Sequence, residues 1–114
     1  MKGFTMTFAI TYDDILLVPS YNNCESRNIL DTSKTDRTGK LHLKLPVMTA
    51  NMDTVTETAM ADFIGDYGGI GVIHRFMSIE DNIKIFKACN HKVFVSIGCS
   101  SRDMERAEAL RDAG

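Results

Sequence analysis

Three short polar segments of this chain carry side chains able to do chemistry, and each follows directly on an apolar run. In Ala50-Asn51-Met52-Asp53-Thr54, an amide and a carboxylate can read a base or a ribose, and Met52 offers an adaptable apolar surface for a planar ring. The same residues equally suit a plain turn, with Asp53 and Thr54 capping a helix and Asn51 satisfying backbone groups. In His74-Arg75-Phe76-Met77, an imidazole stands beside a guanidinium. Arg75 would suit a phosphate or stack on a flat ring, and the bland alternative is a buried, hydrogen-bonded His74 next to a solvated arginine. Gly98-Cys99-Ser100-Ser101 places a glycine and two hydroxyls ahead of a helix, a natural anion site and also an ordinary cap. A helix N-terminus lowers a thiol pKa, but no histidine lies near Cys99 in sequence to activate it, so Cys99 is not read as a nucleophile. Gly68-Gly69-Ile70-Gly71 lacks the G-x-G-x-x-G spacing and precedes its apolar run, which makes it a turn.

The elements that must position these segments follow from the apolar pattern. Residues 45–49, 70–73 and 93–97 are short and apolar in successive positions, as strands covered on both faces are. Helical spacing follows each one. Thr54 to Glu57 fits a capping box, with Val55, Ala59, Phe63 and Tyr67 recurring at four-residue steps until Gly68-Gly69 ends the helix. Ser78 caps a second helix with Ile79, Ile83 and Phe86 on one face. Ser100 and Asp103 open a third, with Met104, Ala107 and Leu110 inward. Residues 15–18 form a further strand candidate stopped by Pro19, and residues 20–40 read as a polar loop and arm.

Strand and helix therefore alternate three times, and right-handed crossovers lay the strands side by side in one parallel sheet. Either a doubly wound sheet or a (β/α)8 barrel satisfies that order. Both architectures bind ligands at the C-terminal ends of their strands, where the three polar segments fall. Eight units take about 250 residues, so 114 residues read as an N-terminal portion. On this reading residues 1–40 are an arm and loop, and residues 41–114 are the first three βα units of an incomplete domain. A small three-stranded domain folding alone is the alternative, and it would leave sheet edges unpaired.

Composition narrows the partners. Net charge is −2 and the pI about 5.9, which leaves no basic surplus for nucleic acid or an anionic bilayer. No apolar run approaches the roughly 20 residues that span a membrane. Lys2 followed by Gly3-Phe4-Thr5 carries no secretory pattern, so a cytoplasmic location is expected. Cys24, Cys89 and Cys99 are widely spaced without a C-x-x-C pair, which predicts reduced thiols and no metal site.

Taken in order, the segments resemble those of the inosine monophosphate dehydrogenase and guanosine monophosphate reductase superfamily. The carrying residues are Thr11-Tyr12-Asp13-Asp14-Ile15-Leu16-Leu17-Val18-Pro19, then Leu45-Pro46-Val47-Met48-Thr49-Ala50-Asn51-Met52-Asp53-Thr54-Val55-Thr56-Glu57, then Gly68-Gly69-Ile70-Gly71-Val72-Ile73-His74-Arg75. The match covers nearly the whole chain, and three ordered motifs at plausible spacing make it specific. The resemblance implies a TIM barrel assembling as a homotetramer. It is nearer to GMP reductase on four features: Ser26-Arg27, Asn51 ahead of Met52, His74-Arg75-Phe76 as in some bacterial reductases, and the direct passage from Met77-Ser78-Ile79-Glu80 through one helix to Val93-Phe94-Val95-Ser96, without the CBS insert typical of the dehydrogenases. Asp53-Thr54-Val55-Thr56-Glu57 and the Gly68 to Gly71 turn are closer to dehydrogenases, some of which also lack the CBS pair.

The resemblance implies reductive deamination of GMP to IMP and ammonia with NADPH. The alternative is NAD-dependent oxidation of IMP to XMP. In both, a cysteine on a later barrel loop attacks the purine C2, and covalent catalysis splits one hard displacement into two steps. Cys24, Cys89 and Cys99 do not match that position, so the nucleophile is expected beyond Gly114 and no catalytic residue is assigned within the chain. Met52 would pack on the purine with Asn51 lining the same pocket. Arg75 would stand at the nicotinamide end of the cofactor, Ser26 and Arg27 would reach a neighbouring subunit's cofactor, and Ser100 and Ser101 are weaker cofactor-side candidates. A monovalent cation, often needed in the family, would bind outside this segment. A non-enzymatic reading, an inactive fragment that acts in subunit association, stands beside these.

Overall fold

The computed structural model describes residues 8–114, and Lys2 with Gly3-Phe4-Thr5 lies outside the described residues. The chain divides into two units, residues 1–30 and 31–114. In the first, short 3-10 turns form at Tyr12–Asp14 and Arg27–Ile29. The strand expected over residues 15–18 does not form, and Leu16 and Leu17 are exposed. Apolar β-formers alone do not make a strand without a neighbour to supply the ladder, and none pairs with them among the described residues.

The second unit opens with a hairpin where the sequence reads as loop. Strand β1 (Lys34–Thr35) pairs antiparallel with β2 (His42–Leu43). Asp36 closes the turn, accepting from the Leu41 backbone N–H at 3.0 Å through its carboxylate, and Gly39 takes a φ of 73°.

The βαβαβα order predicted from periodicity is present. Helix α1 (Thr58–Asp66) precedes β3 (Gly71–Ile73), α2 (Ile79–Ala88) precedes β4 (Val93–Val95), and α3 (Ser101–Ala113) follows. β3 and β4 run parallel in register Gly71 to Val93. The run at 45–49 is reduced to a single parallel bridge, Met48 to Ile70, flanked by Ile70 N–H to Val47 O and Thr49 N–H to Ile70 O, both 3.1 Å. The ladder stops there because the Thr49 hydroxyl, not its carbonyl, accepts from Val72 N–H at 3.0 Å. Thr56 Oγ1 then donates to Ala50 O at 2.6 Å and draws the chain away into its turn. Successive apolar residues predicted cover on both faces, yet Met48 and Phe94 are 54% and 40% exposed, so one face of this sheet is open in the described residues.

Helix α1 departs most from the periodicity reading. Thr54 does not cap it: the N-cap is Glu57, without a side-chain hydrogen bond, because Met52 O accepts from both Val55 and Thr56 and holds residues 52–56 in a separate turn. The stripe Val55, Ala59, Phe63 and Tyr67 faces outward, with Phe63 and Tyr67 packed as a ring pair 5.2 Å apart. Ala61, fully buried, turns inward instead. Its Cα and Cβ lie so close to Gly71 that a Cβ there would come within 2.6 Å of the Ala61 methyl. Helix and strand can touch this closely only through two of the smallest residues, so the larger apolar side chains are turned out.

The remaining caps agree with the sequence. Gly68, at φ 80°, and Gly69 close a Schellman motif, with Gly68 N–H to Gly65 O at 2.8 Å and Gly69 N–H to Ile64 O at 2.9 Å. The Ser78 hydroxyl accepts from Asp81 N–H, and Ser100 and Asp103 form a reciprocal capping box. In α3, Leu110 is buried as expected, but Met104 is exposed and Arg106 takes the inward position at 5% exposure. Gly71→Val should cost about 1–3 kcal/mol through overpacking against Ala61, a loss read as a lower urea midpoint; an unchanged midpoint would contradict the close α1–β3 contact.

Candidate functional site at the strand ends

Because the three strand segments are parallel, the loops that leave their C-terminal ends emerge along one edge of the sheet. Residues 50–57, 74–78 and 96–101 make up that edge. His74 leaves β3 almost fully buried, at 2% exposure. Its Nδ1 accepts from Phe76 N–H at 3.2 Å, which puts the ring proton on Nε2. Nε2 points to Glu57 Oε1 at 3.5 Å, within ion-pair range but without a hydrogen bond. The imidazole thus shapes the 74–76 turn from inside and touches a carboxylate from the preceding loop.

The turn is held from below by a buried polar chain. Asn82 Nδ2 donates to His74 O at 3.3 Å, while Asn82 Oδ1 accepts from Arg106 Nη1 at 3.0 Å. Arg106 also donates to Ser78 O at 3.3 Å and to Met77 O at 2.9 Å. A guanidinium removed from water needs acceptors for its donors, and here Nη1 and Nη2 find them mainly in backbone carbonyls of the 74–78 segment, while Nε is buried without a partner. Neither Asn82 nor Arg106 stands out in sequence, since polar residues at helical positions ordinarily read as solvated.

Arg75 projects from this turn with its side chain 44% exposed, its guanidinium carbon 5.8 Å from the Phe76 ring centre and Nη1 3.5 Å from Asp103 Oδ1. Asp103 is itself largely enclosed and accepts from Ser100 Oγ at 2.5 Å and from Ser100 N–H at 3.3 Å. The Ser100 hydroxyl, then the backbone at Gly98 and Ser100 and the charge of Arg75, hold its carboxyl below the ordinary value of 3.8. Gly98 fits between the two charges, since a Cβ there would lie 2.7 Å from Arg75 Nη1 and would strike the Asp103 carboxylate.

The structure therefore gathers Arg75 and Ser100 around Asp103, which the sequence marks only as a cap. Ser100 spends its hydroxyl on that carboxylate, while Ser101 and Cys99 are exposed. Asn51 and Met52 are exposed on the first loop, Met52 at 52%. Ser26 and Arg27 belong to the other unit, where the Ser26 hydroxyl accepts from Asn28 N–H at 3.3 Å and Arg27 is exposed. A shallow concavity of about 410 Å3, lined by Asp53, Val55, Glu57, Met60 and Phe63 among others, lies along the outward side of α1. No group of His, Cys, Asp and Glu suited to a metal ion occurs among the described residues, and no described helix is long and apolar enough to cross a membrane.

Residues 9–114 match the profile of the IMP dehydrogenase / GMP reductase domain. The chain belongs to this family. A GMP reductase of Leishmania donovani is 44% identical over 77 residues, 68% of this chain and 15% of that protein. An inosine-5'-monophosphate dehydrogenase of Nitrosopumilus maritimus is 47% identical over 76 residues, 63% of this chain and 15% of that one. The crystal structure of inosine 5' monophosphate dehydrogenase from Legionella pneumophila superposes with a TM-score of 0.81 at 60% identity, covering 93% of this chain and 33% of that chain. The chain thus spans about a seventh of the length of the first two relatives and a third of the solved one. Both branches of the IMP dehydrogenase / GMP reductase family are represented among these relatives.

The depressed Asp103 carboxyl has a definite pH signature. Because its folded value lies below 3.8, its contribution to stability is fully present above the unfolded value and is lost as pH falls through the folded one. Melting curves of wild type and Asp103→Asn should differ most at about pH 6 and draw together as pH falls below the ordinary value of 3.8; a difference unchanged down to the acid limit of folding would contradict the charged role.

Proposed function

We propose that the chain supplies the first three βα units of a (β/α)8 barrel oxidoreductase acting on purine nucleoside monophosphates, with NADPH-dependent reductive deamination of GMP to IMP as the reaction. Residues 1–40 are its arm and residues 41–114 its opening units. The observation that carries this reading is the strand-end edge, where an exposed Asn51-Met52 pair and a half-exposed Arg75 occupy successive parallel strand ends in a chain of this family.

The residues suit the ligands. Met52 presents an apolar surface for a purine and Asn51 an amide for its edge. Arg75, backed by the Phe76 ring, offers a cation at the nicotinamide end, with Ser101 as a weaker neighbour. In a homotetramer Ser26 and Arg27 reach the cofactor of an adjacent subunit. NADPH when bound supplies hydride. The protein's own part is orientation, and the nucleophilic cysteine comes from a loop outside residues 1–114. A soluble cytoplasmic enzyme of purine salvage fits the charge and composition.

A second reading, NAD-dependent oxidation of IMP, is favoured by the 60% identity to the Legionella dehydrogenase. The uninterrupted passage from α2 to β4, with no CBS insert, and the Asn51-Met52 pair favour the reductase. Assays of the full-length protein with GMP plus NADPH and with IMP plus NAD separate the two: turnover of the first pair only is expected, and turnover of the second pair only would overturn the reductase. Arg75→Ala should lower kcat by about tenfold or more while leaving the Kd for GMP within about threefold. An unchanged kcat would remove Arg75 from the cofactor side.

A further inference from the structure

Resting on the reading that Arg75 faces the nicotinamide end of the cofactor, we infer that Asp103 is the positioning residue for Arg75. Four features of the geometry carry this. Asp103 Oδ1 is 3.5 Å from Arg75 Nη1, and its carboxylate is much less exposed than the guanidinium it meets, 13% against 44%. The carboxylate is fixed in place by the Ser100 hydroxyl and backbone N–H, so it acts as an anchored reference and not as a second mobile side chain. Gly98 leaves room for the contact, and any Cβ there would press on both partners at once. Arg106, one helical turn further along α3, grips the carbonyls of Met77 and Ser78 and, through Asn82, that of His74.

One helix therefore sets the backbone of the Arg75 turn with Arg106 and the direction of the Arg75 side chain with Asp103. An arginine side chain left to itself samples many rotamers, and ordering it carries a side-chain entropy cost. The Asp103 contact meets part of that cost before ligand arrives, which makes Arg75 a preorganised group at the cofactor side. Asp103 touches no ligand in this scheme. Ordinary helix capping by Asp103 would stabilise α3 whether or not Arg75 is present, and that difference separates the two roles.

The test is a double-mutant cycle in the full-length protein, with kcat, KM for each substrate, NADPH affinity from quenching of its fluorescence, and melting temperature read for every member. Arg75→Ala is expected to lower kcat by about tenfold and Asp103→Asn by about fivefold. The double variant should match Arg75→Ala within about twofold, since Asp103 acts only through Arg75. NADPH affinity should follow the same non-additive pattern. Gly98→Ala, which separates the pair without changing a charge, should reproduce the kcat loss of Asp103→Asn and thus reads the contact even where Asp103→Asn lowers folded yield. Additive losses, or a melting-temperature drop with kcat unchanged, would reduce Asp103 to a cap and overturn the inference while leaving the function standing. A wild-type protein that neither binds NADPH nor turns over either nucleotide would overturn the functional reading, and the inference with it.

Discussion

A guanidinium enclosed by protein needs hydrogen-bond acceptors, and the two terminal nitrogens of Arg106 find them in the segment that carries the candidate site, although Nε is left without a partner. With its solvent contact almost gone, Arg106 is bound to Met77 O, Ser78 O and Asn82, and Asn82 extends the chain to His74 O. Two of these bonds end directly on the loop that leaves β3, and the third reaches it through Asn82 of α2. The loop is consequently not a free connection between strand and helix. It is a turn whose carbonyls solvate a buried cation, and shifting it would leave that cation short of partners. His74 and Arg75 inherit their placement from this constraint, one pointing inward to Glu57 and the other outward to Asp103.

Packing at the opposite ends of the strands combines a close backbone approach with exposed polar pairs. Gly71 against Ala61 brings α1 against β3 at a distance only minimal side chains allow, and the Schellman motif at Gly68 turns the chain from one into the other. Below it, Asp62 and Asp66 of α1 bind Asn90 and His91 ahead of β4, with His91 Nε2 2.8 Å from Asp66 Oδ1. Parallel α/β units commonly divide in this way, with stability contacts at one end of the strands and the loops open to ligands at the other.

Local signals made much of this legible in sequence. Ser78, Ser100 with Asp103, and Gly68-Gly69 each announced a helix end through backbone chemistry that needs no partner from elsewhere. Apolar runs at 70–73 and 93–97, each followed by a helix, announced the parallel pair through the alternation of elements. What sequence could not give was direction. The Val55, Ala59, Phe63 and Tyr67 stripe is as apolar as a core face, yet α1 turns Ala61 inward because only a methyl fits against Gly71. Arg106 reads as a solvated helix residue, and its burial depends on carbonyls from another βα unit 28 and 29 residues away. The hairpin at β1 and β2 was hidden for a related reason: two-residue strands leave almost no period to read, although Asp36, Thr38 and Gly39 carried a turn signal. For the site, the three loops were legible as strand ends, while the pairing of Arg75 with Asp103 was not.

The most direct test of a nucleotide face at the strand ends is hydrogen–deuterium exchange of the full-length protein with and without GMP and NADPH. The account predicts that ligand slows exchange in residues 50–57, 74–78 and 96–101 and leaves residues 89–92, at the other end of the strands, unchanged. Protection confined to residues 89–92 or to the outward side of α1, with the three strand-end loops unaffected, would contradict it.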